Sequence, residues 1–286
     1  MASDTKNVKL GVCQIKFGGY DLGYTKGGVE IEVKTETKKV MVDQFGNSEV
    51  NEYILGRSCT AKIPLAETTL PNLVEIMPGA TLSTSGGAAA SATVTFGSLP
   101  VAGTTITVNG VVFTARATTA TMANAREFYV GTTTSACATN FAAAVNSAMD
   151  AALNDISANS VSGNVVYLVA SSYGTAGNAY TLSTTSTATL SGATFSGGVA
   201  PGRMKVTVPN GTGSSLLTTC QRLVLHPIAL AADDRSQDFT IPLAATSGEM
   251  NYAFKLDEER IFIANFYGYP DSTTGTLFVI GDERAG

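Results

Sequence analysis

Val29-Glu30-Ile31-Glu32-Val33-Lys34-Thr35-Glu36-Thr37-Lys38-Lys39-Val40-Met41-Val42-Asp43 alternates apolar and ionic side chains over its first half and returns to apolar residues at its end. A strand sends successive side chains to opposite faces, so Val29, Ile31 and Val33 share one side while Glu30, Glu32 and Lys34 share the other. Continued through Phe45-Gly46-Asn47, the stretch reads as a long charged β-hairpin or arm over residues 30–47. Its apolar side is thin and its other side ionic, so it buries little surface within its own subunit. A partner subunit is the natural cover.

Strands are expected on both sides of this arm. Residues 8–17 alternate, and residues 52–64 read as another strand or pair of strands. One helix follows, because Leu70, Leu73, Val74 and Met77 fall at helical spacing. Thr68 or Thr69 can cap it, Pro71 fits its first turn and Pro78-Gly79 stops it. Towards the end of the chain, residues 203–208, 221–228, 237–243, 250–256, 260–266 and 276–280 read as strands separated by turn signals.

Charge divides the chain. From residue 91 to 199 the only ionic side chains are Arg116, Arg126, Glu127, Asp150 and Asp155. This middle part is rich in Thr, Ser, Ala and Gly, and glycine-containing turns bracket it at 85–88 and 197–202. It has its own periodicity, which argues against disorder. Asn109-Gly110 between two Thr/Val-rich runs signals a tight hairpin, and residues 135–153 carry Cys137, Phe141, Val145, Ala148 and Ala152 along one helix face. Further strands are expected over 163–170 and 179–182, giving a small module of two hairpins and a helix. The expected fold is mainly β within the α+β class. A β-sandwich or part-barrel with one packed helix and a long hairpin arm spans 1–90 and 200–286, and a small α+β domain is inserted at 91–199.

The chemistry of the chain excludes several functions. Its 286 residues carry a net charge of −5 and only 14% charged residues, so there is no basic footprint for gripping nucleic acid. With one histidine, a multi-histidine metal site is excluded. His226 stands before Pro227 without a neighbouring nucleophile motif and reads as structural or surface-placed. Asp233, Asp234 and Asp238 lack calcium-loop spacing and read as a solvated turn. Asn210-Gly211-Thr212-Gly213-Ser214-Ser215 lacks the lysine and the strand-to-helix setting of a phosphate loop, and reads as a flexible turn. Cys13, Cys59, Cys137 and Cys220 are widely spaced and read as small, buried, free thiols. No apolar run is long enough to span a bilayer and the start lacks an export-signal pattern, so no membrane association is expected. No enzyme signature, metal or cofactor is expected.

Leu22-Gly23-Tyr24-Thr25-Lys26-Gly27-Gly28-Val29-Glu30-Ile31-Glu32, then Asp43-Gln44-Phe45-Gly46, then Gly56-Arg57-Ser58-Cys59-Thr60-Ala61-Lys62-Ile63-Pro64-Leu65-Ala66-Glu67-Thr68-Thr69-Leu70 occur in this order. Together they resemble the tail tube (major tail) proteins of long-tailed, non-contractile bacteriophages, with the chi-like, flagellum-targeting kind nearest. The middle part, with Thr105-Ile106-Thr107-Val108-Asn109-Gly110 and Gly174-Thr175-Ala176-Gly177-Asn178, looks like a module that recurs in phage tail sheath and tube proteins. The resemblance implies a virion tail protein made and assembled in the host bacterial cytoplasm. Six copies would form a ring, and rings would stack into a hollow tube lined by a β-barrel built across subunits. Its partners would be copies of itself, the tape measure protein, the tail terminator and tip proteins, and double-stranded DNA in transit without sequence-specific binding. Carried onto this chain, the contacts between neighbours or the bore lining fall on Glu30, Glu32, Lys34, Glu36, Lys38, Lys39, Asp43 and Phe45. Alternation does not say which face is which. The inserted domain is expected on the tube exterior, with a possible host-surface contact. A secreted or surface adhesin that binds glycans through the middle part is the alternative, and an enzyme would have to depend on His226.

Overall fold

The computed structural model describes residues 11–119, 122, 124–250, 256–257 and 259–283. Residues 8–10 of the first expected strand and 251–255 of the strand expected over 250–256 lie outside them. The chain opens with β1 (Cys13–Phe17), β2 (Tyr20–Asp21), β3 (Glu30–Met41) and β4 (Glu49–Leu65), followed by α1 (Leu70–Ile76) and β5 (Thr81–Thr84). The middle part holds β6 (Ala89–Thr95), β7 (Thr105–Val108), β8 (Val111–Arg116), β9 (Glu127–Tyr129) and α2 (Thr134–Ser147). It continues with β10 (Ile156–Ser162), β11 (Val165–Tyr173), β12 (Leu182–Thr184) and β13 (Thr189–Leu190). The chain then returns through β14 (Met204–Thr207), β15 (Gln221–Pro227), β16 (Phe239–Thr246), β17 (Phe262–Gly268) and β18 (Val279–Ile280). The fold is mainly β, with helices a minor part, as the strand periodicity predicts.

Segments from both ends of the chain build one open eight-stranded sheet in the order β2-β1-β15-β16-β17-β4-β3, with β18 on β16. Its first core joins Ile15, Phe17, Leu223, Leu225, Ile241, Phe266, Ile63 and Leu65 on one face with Ile76 and Met77 from the end of α1. Thr69 caps α1 by accepting from the Asn72 N–H at 3.3 Å. The predicted stripe is displaced towards the helix end: Ile76 and Met77 are buried, while Leu70, Leu73 and Val74 remain partly exposed.

A two-stranded ribbon, β5 with β14, leads into and out of the middle part, and the Ala88–Val199 bridge closes it. There β10-β11-β6-β13 and β12-β7-β8-β9 form two four-stranded sheets around a second core. Phe141 of α2 sits at its centre, edge-on to Phe96, Phe113 and Phe128 with ring centroids 5.2–5.9 Å apart. The β7–β8 turn is built as its sequence predicts, with Asn109 and Gly110 at φ 45° and 83°. Several expectations change: in place of the strand expected over 179–182 a single 3-10 turn at Ala176–Ala179 precedes a strand that begins only at Leu182, and β6, β9 and β13 are strands that were not expected. The helix stops at Ser147, since Ala148 is extended at ψ 136°, so Ala152 lies outside the helix and is exposed. Strand β10 also appears where no strand was expected, because its Ser-rich sequence gives little alternation. It pairs with β11, which in turn reaches β6.

Candidate assembly interface

Strand β3 pairs with β4 along its whole length, with Glu30 opposite Lys62, Ile31 opposite Ala61 and Val33 opposite Cys59. The arm is therefore longer than its first reading: its return leg is β4, and the turn between them covers residues 42–48. Two register shifts fall on the β4 side, leaving Leu55 and Val50 as the extra residues, so alternation along β3 is unbroken. Glu30, Glu32, Lys34, Glu36 and Lys38 share one face. Lys39 falls on the other, with Ile31, Val33 and Met41. Asp43 and Phe45 lie in a single 3-10 turn at the tip.

Strand β17 pairs only with Thr60–Leu65 of β4. Past that point the arm is two-stranded among the described residues, and β3 from Val33 to Met41 extends about 30 Å at roughly 3.3 Å per residue. Every β3 residue except the half-buried Val40 is exposed, including Ile31 at 42% and Val33 at 41%. Phe45 at the tip and Leu55 in the middle of the arm, opposite Glu36 and Thr37, are each 65% exposed, and exposed Ile54 and Tyr53 adjoin Leu55. The run Tyr53-Ile54-Leu55 was legible as strand but not as contact surface. Three consecutive large apolar side chains cannot all face one core, and that was its signal. Among the described residues no strand lies beside the outer edge of β3.

Ion pairs cover the arm. Lys62 meets Glu30 at 3.1 Å, Lys34 meets Glu32 at 3.1 Å, and Lys39 meets Glu49 at 2.5 Å. The Glu49 hydrogen bond and charge hold the Lys39 ammonium above its ordinary range. Exposed pairs of this kind add little to stability, so they bear on the choice and register of a neighbour.

Neither the family models nor the curated proteins contain a match to this chain.

A second polar constellation lies where the middle part covers the other face of the eight-stranded sheet, across β1, β15 and β16. Lys16 is buried there and donates to the Ala148 carbonyl at 2.7 Å; burial lowers its pKa to about 8. Asp238 is also buried, which corrects the expectation that it sits in a solvated turn. It bonds His226 Nδ1 at 2.6 Å and accepts from Arg235 Nη1 at 2.9 Å. Alternation puts His226 and Lys16 on the sheet face away from the first core, and only the tertiary fold brings Arg235 and Asp238 to them. The carboxylate that the sequence could not place beside His226 is thus present. The imidazole is only 2% exposed and its Nε2 is sealed from solvent, so no substrate can reach the pair. Arg126 adds a link between the two parts, bonded to Asp150 at 3.1 Å and within 3.9 Å of Asp233. Among the described residues no cluster of three or more His, Cys, Asp or Glu could hold a metal ion, and no helix is long and apolar enough to cross a membrane. All four cysteines are free; Cys59 and Cys137 are buried, whereas Cys13 and Cys220 are only partly so.

Proposed function

We propose that this chain is a structural protein of a bacteriophage tail tube, assembling with copies of itself into stacked hexameric rings around a channel for DNA. The observation that carries this reading is the arm: a long hairpin exposed on both faces, carrying large apolar side chains along its length and Phe45 at its tip, with an outer edge left open among the described residues. A two-stranded hairpin is at best marginally stable in water, so an arm of this length calls for cover from a neighbour. Ile31 and Val33 lie on the core side of the sheet, and that side is the one a neighbouring copy would bury. The opposite side, with Glu30, Glu32, Lys34, Glu36 and Lys38, tolerates water and can face a bore or a charged partner. Duplex DNA carries about one negative charge per 1.7 Å of axis, so a chain of net charge −5 suits a conduit through which DNA slides without being gripped. Tape measure, terminator and tip proteins would meet the same tube, and the inserted part would lie outside it.

The test is to concentrate the purified full chain and follow it by analytical ultracentrifugation and negative-stain electron microscopy. Rings or tubes are expected from the native chain. The Ile31→Asp/Val33→Asp variant changes two exposed positions, so it should keep the native circular dichroism spectrum and remain monomeric. A native chain that stays monomeric at high concentration overturns the reading.

A further inference from the structure

Between the eight-stranded sheet and the middle part lies an open cleft of about 770 Å3, on a different set of residues from the arm. Its size is that of a site for a small organic ligand or a short oligomer. Among the described residues no lysine, arginine or histidine lines it, while Asp21, Glu67 and Asp155 do. These three carboxylates repel phosphates, nucleotides and acidic sugars and favour a ligand without negative charge.

The polar groups in the cleft are held in place. Asp21 accepts from the Gly23 N–H and from Gln14 Nε2, both at 2.8 Å. Asp155 accepts from the Ser172 N–H at 2.8 Å and the Tyr180 hydroxyl at 2.7 Å, and Glu67 accepts from the Tyr24 N–H at 3.2 Å. Each carboxylate oxygen has two lone-pair directions, so these carboxylates keep acceptor capacity facing the cleft. Asn72 spends its amide nitrogen on the Leu22 and Glu67 carbonyls, at 3.0 and 3.1 Å, and presents its oxygen. Asn154 spends its oxygen on Gln14 at 2.8 Å and presents its nitrogen. Donors and acceptors thus stand side by side, as a ligand bearing many hydroxyl groups requires. A lysine-rich peptide would use the acceptors alone.

An apolar platform completes the cleft. Tyr24 is 79% exposed at its rim and Tyr173 lines its other side. The face of an aromatic ring is electron-rich, and the C–H face of a pyranose is weakly positive, so the two stack. We infer that this cleft binds a neutral oligosaccharide, with Tyr24 as the stacking ring and Asp21, Asn72, Asn154 and Asp155 as its hydroxyl partners. The inference does not depend on the tube reading, since it uses none of the arm residues.

The experiment uses the full chain with maltotetraose, cellotetraose and chitotetraose as probes and tetralysine as the competing class, read by saturation-transfer NMR and titration calorimetry. At least one tetrasaccharide should bind with millimolar or tighter affinity. Tyr24→Ala, at a largely exposed position that leaves the fold intact, should weaken it roughly 5- to 10-fold, the loss of one aromatic contact. Tyr167→Ala, on the middle part away from the cleft, should leave binding unchanged. Absence of binding by all three sugars, binding of tetralysine alone, or an affinity indifferent to Tyr24→Ala each overturns the inference.

Discussion

Glu75 of α1 is half-buried in a recess that Phe17, Thr219 and Thr246 also line, and this burial pushes its carboxyl up to about 7. A raised carboxyl pKa means that the folded chain keeps a proton which the unfolded chain has already lost. Between the ordinary value of 4.5 and about 7 the unfolded state therefore binds fewer protons, and stability falls as pH rises through this window. Lys16 titrates in another window: burial lowers its pKa from 10.5 to about 8, so stability rises with pH from about 8 to 10.5. Glu75→Gln should remove the acidic-side slope and raise the unfolding midpoint at pH 7.5 while leaving that at pH 4 nearly unchanged. Urea denaturation at both pH values measures this. Equal effects at the two pH values would show that Glu75 keeps its charge cheaply in the fold. Sequence could not single out this residue, because a glutamate beside Val74 and Ile76 on a short helix looks like any solvent-facing position until the sheet is laid against it.

At the scale of elements, what was legible follows from local periodicity. The β7–β8 hairpin was specified by Asn109-Gly110, and α2 by Cys137, Phe141 and Val145, because each depends on residues only a few positions apart. The arm was visible through Ile31 and Val33, but its return leg was not joined to it. Register shifts at Leu55 and Val50 break the alternation of β4, and they are fixed by pairing with β3. Least legible was the junction of β1, β15 and β16 with the middle part, where Lys16, His226, Arg235 and Asp238 come together from separated segments. This junction ties two cores into one structure. Breaking a buried ion pair by removing one partner costs about 3–5 kcal/mol, because the other charge stays buried without compensation. Asp238→Ala should cost that amount and loosen the junction, exposing the 197–202 connection to limited proteolysis. The Asp238→Leu/Arg235→Met double variant, which removes both charges, should recover most of the loss. A single variant as stable as the native chain would mean that solvent enters the junction and screens Arg235.

For the whole molecule the question is which force would hold copies together. The chain presents two kinds of surface on one arm: an ionic face built on Glu30, Glu32, Lys34, Glu36 and Lys38, and an apolar face and tip built on Ile31, Val33, Phe45, Ile54 and Leu55. They predict opposite responses to salt. At about 0.1 M the screening length is roughly 10 Å and at about 1 M roughly 3 Å, so high salt suppresses both attraction between exposed ion pairs and repulsion between like-charged copies. Each copy carries −5, so repulsion opposes assembly at low salt, while burial of the apolar face is not weakened by screening. Most arm charges already find partners within the same hairpin, such as Lys62 with Glu30 and Lys34 with Glu32, which leaves few attractions between copies to lose. Assembly of the purified chain should therefore increase from about 0.05 M to about 1 M sodium chloride, as measured by sedimentation. The Lys34→Glu/Lys38→Glu variant, with more repulsion, should need higher salt to reach the same extent. Dissolution of assemblies by salt would transfer the main role from Ile31, Val33 and the tip to the ionic face, and would make Lys34 and Lys38 the contacts on which the neighbour depends.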